Sequence, residues 1–276
     1  MSHRIAAASR HGILAILVFA SLFPIYYLIV NSVKDPAQFG ADQWLPPASL
    51  TWANWSRASD VISGPILNTI IIALVGTTLI IVLAALAAYA FAIIKFPGWK
   101  IFYWLTFGLL LVPSFLLLIP LYLQITRLEV IDGGYFAVIL PSAAAGQAFS
   151  IFVLKAAFEE IPQDMIDSAR VDGAGEFRVL LNIVAPLARP VFASVAVIQI
   201  VAMWNDYLLP SLVLDAAHRT VSVALVAFTG NPSNDSSADF GPLMAGYLLS
   251  AVPLIVLFAF SMRSYIQGLT SGASKL

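Results

Sequence analysis

Long apolar runs, separated by short polar ones, fill most of the chain. Taken as helices of the ~20 residues needed to cross a hydrocarbon core, they give six spans. These lie at about 12–32, 65–94, 101–123, 135–157, 188–210 and 240–263. One polar stretch interrupts them on a different scale. Glu159–Pro190 carries six acids (Glu159, Glu160, Asp164, Asp167, Asp172, Glu176) and three arginines (Arg170, Arg178, Arg189). A segment so charged cannot lie in hydrocarbon, so it is expected in water between spans four and five. Its spacing predicts two short helices broken at Gly173. Pro162 fits a first helical position, with Gln163 and Asp164 in the electropositive first turn. Met165, Ile166 and Ala169 give that helix one apolar side. Gly173 can adopt the left-handed conformation that ends a helix. Phe177, Leu180, Leu181 and Val184 make a second apolar stripe, expected to stop at Pro186. By pattern alone, such a loop either rests on its own bundle or docks into another protein.

Composition agrees with a membrane location. Of 276 residues, 60% are hydrophobic and 11% charged, against roughly 25% charged in soluble domains. The fold class expected is therefore an all-α integral membrane protein with six transmembrane helices. A net charge of −1 argues against a nucleic-acid partner. The chain has no cysteine, which excludes disulfides, thiolate metal ligands and a cysteine nucleophile. His3, His11 and His218 are scattered and expected in solvent, so no metal site is expected. Gly12–Val30 follows Arg4 and Arg10 in the charge order of a signal peptide. The run is long, however, and lacks a cleavage-like end, so it reads as a retained first span. Placing the N-terminus inside puts ten of the fourteen lysines and arginines on the inner side and Lys34, Arg57, Arg127 and Arg219 outside. That satisfies the positive-inside rule, with both termini and the Glu159–Pro190 loop cytosolic.

Other features are placed on this frame. Trp44, Trp52 and Trp55 in the first outer loop are expected at headgroup level. Ala84, Ala88 and Ala92 repeat at four-residue spacing and permit close helix packing. Asn68 is expected at the interface. Pro113 and Pro120 should kink span three. Gln147 in span four and Gln199 in span five fall roughly 18 and 15 Å along their helices. They would face a polar path or hydrogen-bond between helices. Met203-Trp204-Asn205-Asp206-Tyr207 closes span five, with Asp206 near the outer surface. The outer links hold Arg127, Glu129 and Asp132, and then Asp215, Arg219, Asn231-Pro232 and Asp235-Ser236-Ser237. No phosphate-binding G-x-x-x-x-G-K-[ST] loop occurs, so the chain is not expected to bind ATP. No nucleophile–base set points to an enzyme.

Asp167-Ser168-Ala169, three residues, Gly173, nine residues, and Ile183-Val184-Ala185-Pro186 resemble the EAA loop of ABC importer permeases. That pattern reads Glu-Ala-Ala, three residues, Gly, nine residues, Ile, any residue, Leu, Pro. The departures are Asp167, Ser168 and Ala185. Asn31-Ser32-Val33-Lys34, Trp204-Asn205-Asp206 and the Gly268–Lys275 tail are similar to segments of the sugar-uptake branch, most like the second, six-span permease of maltose importers. The resemblance covers about Asn31 to Lys275. It implies a type I permease fold in a bacterial or archaeal plasma membrane, with residues 1–63 as first helix and outer loop. Residues 64–265 would form the transmembrane domain with its coupling loop at 159–190, and 266–276 a cytosolic tail. It also implies a second permease, two ATP-binding subunits that use ATP and Mg, and an extracytoplasmic solute-binding protein. Asp167, Ser168, Ala169, Asp172, Gly173, Ala174, Phe177 and Pro186 would meet the ATPase. Gln147, Gln199, Asn205 and Asp206 are the candidate path residues. The cargo implied is a sugar or oligosaccharide. Rival readings are a permease for a glycerol phosphodiester or polyamine, and an ion-coupled secondary transporter. The last requires ionisable groups near the midplane, and the spans have none there.

Overall fold

A computed structural model describes residues 2–128, 133–229 and 240–273. The expectations for Glu129 and Asp132, for Asn231, Pro232 and Asp235 to Ser237, and for the tail end at Ser274 and Lys275 lie outside the described residues. All the regular elements described are helical, with a single bridge between Gly133 and Leu214. In chain order they are α1 (Ser2–Ser32), α2 (Pro36–Ala41), α3 (Ala53–Tyr89), α4 (Trp99–Gly108), α5 (Leu118–Arg127), α6 (Phe136–Glu159), α7 (Gln163–Val171), α8 (Glu176–Val179), α9 (Ala185–Leu187), α10 (Arg189–Asn205), α11 (Leu208–Val213), α12 (Val221–Leu225) and α13 (Phe240–Ala273). Four uninterrupted stretches are long and apolar enough to cross a membrane: Arg10–Ser32, Ala53–Ile94, Phe136–Glu159 and Phe240–Ser261. Two further pairs qualify only together, Trp99–Leu111 with Ser114–Arg127, bent by 93°, and Glu176–Leu187 with Arg189–Asn205, bent by 80°. Counting each bent pair once accounts for the six apolar runs.

The chain divides into two compact units. The first takes the chain up to Ile66 and Val223–Val252. Its centre is a polar knot after α1. Asn54 Nδ2 donates to the carbonyls of Ser32 (3.0 Å) and Lys34 (2.7 Å), and the buried Lys34 ammonium donates to Asp42 O at 2.7 Å. Asp35 caps α2 by accepting from Gln38 N. These bonds fold a Pro- and Trp-rich loop that has no ladder of its own. Trp44 and Trp52 are exposed, and Trp55 donates its indole N–H to Ser32 Oγ at 3.2 Å, which ties it to the knot.

The second unit takes Leu67–Ser222 and the chain from Pro253. One apolar core gathers Ala84, Ala88 and Ala92 of the α3 region, Leu154 and Phe158 of α6, Ile166 of α7, and Val179 and Val184 between α7 and α10. The small residues therefore serve packing, as their spacing predicts. A second core joins Ile72, Ile125, Val138, Leu209 and Val213. Asn68 is buried here, not interfacial. Its Nδ2 donates to the carbonyls of Ala217 and Arg219, and its Oδ1 accepts from Tyr135 Oη at 2.8 Å. His218 is likewise engaged, 2.8 Å from Asp215 Oδ1 and edge-on to the Tyr135 ring. Pro113 marks the sharp break in span three, whereas Pro120 falls in the first turn of α5, where a missing N–H is tolerated. Span five is shorter than expected. Its helix ends at Asn205, and α11 starts separately at Leu208.

Candidate coupling site

Between α6 and α10 the chain forms an elbow. Its first limb, α7, starts at Gln163 with Pro162 as N-cap, one position earlier than a first helical residue. Asp164 occupies the first turn and Arg170 the last, both favourable to the helix dipole. Ile166 is fully buried, Ala169 is half-buried and Met165 is exposed, so only part of the expected apolar side faces the core. Gly173 adopts φ +81°. Ala174 N donates to Ala169 O at 2.9 Å and Gly173 N to Arg170 O at 3.0 Å, the paired bonds of a Schellman ending. The corner is thus fixed by backbone bonds that require a residue without Cβ.

The second limb departs from the sequence expectation. It runs α8, a π-turn at Leu180–Val184, then α9, and continues through Pro186 to Leu187. Pro186 does not stop it, because proline falls in the first turn after the π-turn. The bend comes at Ala188, which is buried. The π-turn also shifts the phase of the helix. Val179, Leu180 and Val184 point into the core, while Phe177 and Leu181 are 66% and 51% exposed. The predicted stripe is therefore split. Its outward half helps line an apolar groove of about 560 Å³ together with Val82, Leu86, Pro186 and Phe192.

The remaining loop residues surround this corner. Asp167 is exposed, accepting from Gln163 Nε2 at 3.1 Å and Arg170 Nη1 at 3.2 Å. Ser168 Oγ donates back to Asp164 O at 2.7 Å. Asp172 is the exposed C-cap of α7, and Ala174 is half-buried after the turn. Val171, next to the corner, is 88% exposed. On the elbow, Val171, Phe177 and Leu181 are thus exposed apolar side chains, and Asp167, Asp172 and Arg178 are exposed as well.

Three participants escaped the sequence reading. Arg170 Nε and Nη2 hold Glu176 Oε1 and Oε2 at 2.9 and 3.1 Å, and Tyr89 Oη donates to Glu176 Oε2 at 2.6 Å. The guanidinium first, and the phenol second, hold the Glu176 carboxyl below its ordinary value. Arg170 is pushed upward chiefly by the same carboxylate. An acid six residues beyond an arginine is a visible signal across a turn. Tyr89, 87 residues before Glu176, leaves none.

Of the candidate path residues, Gln199 is buried and donates to Ser150 Oγ at 3.1 Å. Gln147 donates to Ala143 O at 3.1 Å and reaches Ile80 O at 3.4 Å. Both amides therefore fasten α3, α6 and α10 at one level. A Cβ on Gly146 would stand 2.6 Å from Ile80 Cδ1 and 3.1 Å from Gln199 Oε1, so the helices touch there through glycine. Asn205 is exposed and donates to Val201 O, and Asp206 is the half-buried residue that ends α10. The structure does not bring Asn205 and Asp206 to the two glutamines by any hydrogen bond.

Residues 80–271 match the family described as binding-protein-dependent transport system inner membrane component. The chain is 32% identical to the trehalose transport system permease protein SugB of Mycobacterium tuberculosis over 94% of each chain. It is 30% identical to the sn-glycerol-3-phosphate transport system permease protein UgpE of Pectobacterium atrosepticum, again over 94% of each. In fold it is similar to a chain from the crystal structure of a bacterial ABC transporter involved in the import of the acidic polysaccharide alginate. That match has a TM-score of 0.81 at 21% identity, covering 95% of this chain and 97% of that one.

Proposed function

This chain belongs to the family of binding-protein-dependent transport system inner membrane components, and on that premise we propose that it is the permease half of a sugar-importing ABC transporter. With a second permease it forms the path for a carbohydrate delivered by an extracytoplasmic binding protein. The elbow faces the cytosol and seats its tip, Asp167 to Ala174 with Phe177, in an ATP-hydrolysing partner. Pro186 supports the base of that tip. Nucleotide binding by the partners moves the elbow, and spans four and five rock with it.

The observation that carries this reading is the glycine-cornered elbow with its exposed apolar side chains. Apolar side chains held outward on a charged loop mark a docking surface. The backbone bonds at Gly173 give it a fixed angle, as a part that transmits force requires. The chain has no phosphate-binding loop of its own, so the partner supplies the hydrolysis.

Gly173→Asp tests it. A side chain at φ +81° is strained whatever space surrounds it. In the complex purified with its ATPase and reconstituted in vesicles, binding-protein-stimulated uptake should fall at least about tenfold, within the range of ordinary coupling energies, while the subunits still co-purify. Wild-type uptake and ATPase stimulation in that variant would sink the assignment. A carbohydrate cargo is supported by the trehalose relative and by spans without a lysine or arginine at mid-depth. The glycerol-3-phosphate relative keeps a phosphate ester as the second reading. Uptake assays with a neutral disaccharide and with a glycerol phosphate separate the two.

A further inference from the structure

The elbow is joined to the bundle by two routes of different stiffness. Along the chain, from Glu176 to α10, the backbone passes a π-turn at Leu180–Val184 and an 80° bend at Ala188. Both are departures from regular helix where motion is readily absorbed. Across space, Glu176 reaches α3 in one step through the 2.6 Å bond from Tyr89. The phenol is buried at 3% exposure, and the bond is of the short, charge-assisted kind. Tyr89 is the last residue of regular α3, immediately before a second π-turn at Ala90–Ile94. The contact therefore grips α3 where the helix is still stiff.

Apolar contacts also join these elements, since Ile166, Val179 and Tyr89 share one core. Such contacts are non-directional and permit sliding. The carboxylate adds direction. Its two oxygens take the Arg170 fork, which closes α7 on α8, and one of them also takes the phenol. One side chain thus fixes the angle of the elbow and the attachment of that elbow to α3.

We propose that Glu176 is a positioning residue of the coupling step, locking the elbow to the end of α3 through Tyr89 so that a displacement of the elbow moves α3 as one body with it. The proposal rests on the reading of the elbow as the part that receives force from the ATPase. It gives span two a share in the motion that the covalent paths deliver to α6 and α10.

The chain is free of cysteine, so paired spin labels can be placed cleanly. In the full complex, one pair is Leu83→Cys with Asp164→Cys, reporting α3 against the elbow. The other is Asp164→Cys with Asn182→Cys, reporting the elbow alone. All three positions are exposed. Distances are measured without nucleotide and with a non-hydrolysable ATP analogue. Expected in the parent are two distances that hold between states to within about 2 Å, the scale of small helix shifts. Tyr89→Phe keeps the buried ring and the Arg170–Glu176 pair. In it, the first distance should change by more than that amount and the second should not. Uptake per ATP hydrolysed should fall about fivefold, the lower end of typical coupling effects. Glu176→Gln, which keeps Tyr89 itself, should loosen the first distance as well. If the elbow–α3 distance stays fixed between states in both variants and uptake per ATP is unchanged, the lock is refuted. That failure would leave the uncoupling by Gly173→Asp intact, whereas failure of the chain to co-purify with an ATPase would refute the underlying reading instead.

Discussion

The two bent spans are built in opposite ways. In span three the chain turns 93° between Leu111 and Ser114. Short 3-10 turns flank extended Val112 and Pro113, and every side chain from Leu109 to Leu117 is exposed. In span five the 80° turn sits at Ala188, buried in the apolar core. Backbone bonds run straight through it: Ala188 N donates to Val184 O at 2.9 Å, and Val191 N and Phe192 N both donate to Ala188 O at 3.0 Å. The limbs of the first bend are held at their far ends instead. Ile125 of α5 is buried among Val138, Leu209 and Val213. Trp99 and Tyr103 of α4 lie over the Lys155 ammonium, at 5.3 and 4.6 Å. Irregular backbone at membrane depth is tolerated only where protein covers it or water reaches it. The second bend lies within the charged Glu159–Pro190 loop, and its own chain covers it. The first is exposed on this chain, so we expect the second permease to cover it.

The largest expected effect separates the bends directly. Ala188→Leu inserts volume into a filled site and should destabilise the purified chain by about 1–3 kcal/mol. Leu111→Ala removes a side chain that touches little of its own chain, and should change the same thermal unfolding by no more than about 0.5 kcal/mol. Assembly with the partner permease should respond the other way. Leu111→Ala should weaken it by about 1 kcal/mol, as truncation of an interface side chain that carries binding energy does. Equal co-purification of the parent and the Leu111→Ala chain would mean that the second permease does not cover this bend.

How much of this was readable beforehand depends on which forces set each feature. The six apolar runs, the glycine corner and the break at Pro113 follow from local rules of burial and backbone freedom, and the residues state them. The second limb of the elbow does not follow. Its buried residues, Val179, Leu180 and Val184, repeat on a π-turn, and a 3.6-residue period assigns Phe177 and Leu181 to the same face. Pro186 looked like a stop because the altered turn before it could not be foreseen. Asn68 looked interfacial because its partners, Tyr135, Ala217 and Arg219, come from distant parts of the chain. The elbow was therefore legible in position and corner, but not in which apolar side chains it turns outward. Nor was its attachment to Tyr89 legible.

A smaller effect concerns the anchored limb of the first bend. Lys155 Nζ is 2.8 Å from Glu159 Oε1, and its side chain is nearly buried beneath two aromatic rings. Lys155→Met keeps the stem and removes the charge. It should lower stability by about 1 kcal/mol, the sum expected of a partly exposed helical ion pair and a cation–π contact. A loss of about 3 kcal/mol, the upper end of the range for Ala188→Leu, would mean that the first bend is held from within after all.

The smallest effect is on pH, and it falls on the second bend's limb alone. Glu176 titrates below its ordinary value of 4.5 because Arg170, and then Tyr89, favour its charged form. A carboxylate with a depressed native pKa contributes stability that is fully present above its unfolded value and disappears as pH falls through its folded one. Because the carboxylate is about half exposed, solvent screening keeps the contribution small. Unfolding of the chain should thus be unaffected by this group from neutral pH down to about 5. A loss should set in below 4.5 and be absent in Glu176→Gln. In the labelled complex the same acid titration should change the distance between the Leu83 and Asp164 labels, since the carboxylate that accepts from Tyr89 is then protonated. An acid transition of equal size in Glu176→Gln would assign the loss to other carboxylates and remove the charged clasp as the feature that distinguishes the two bends.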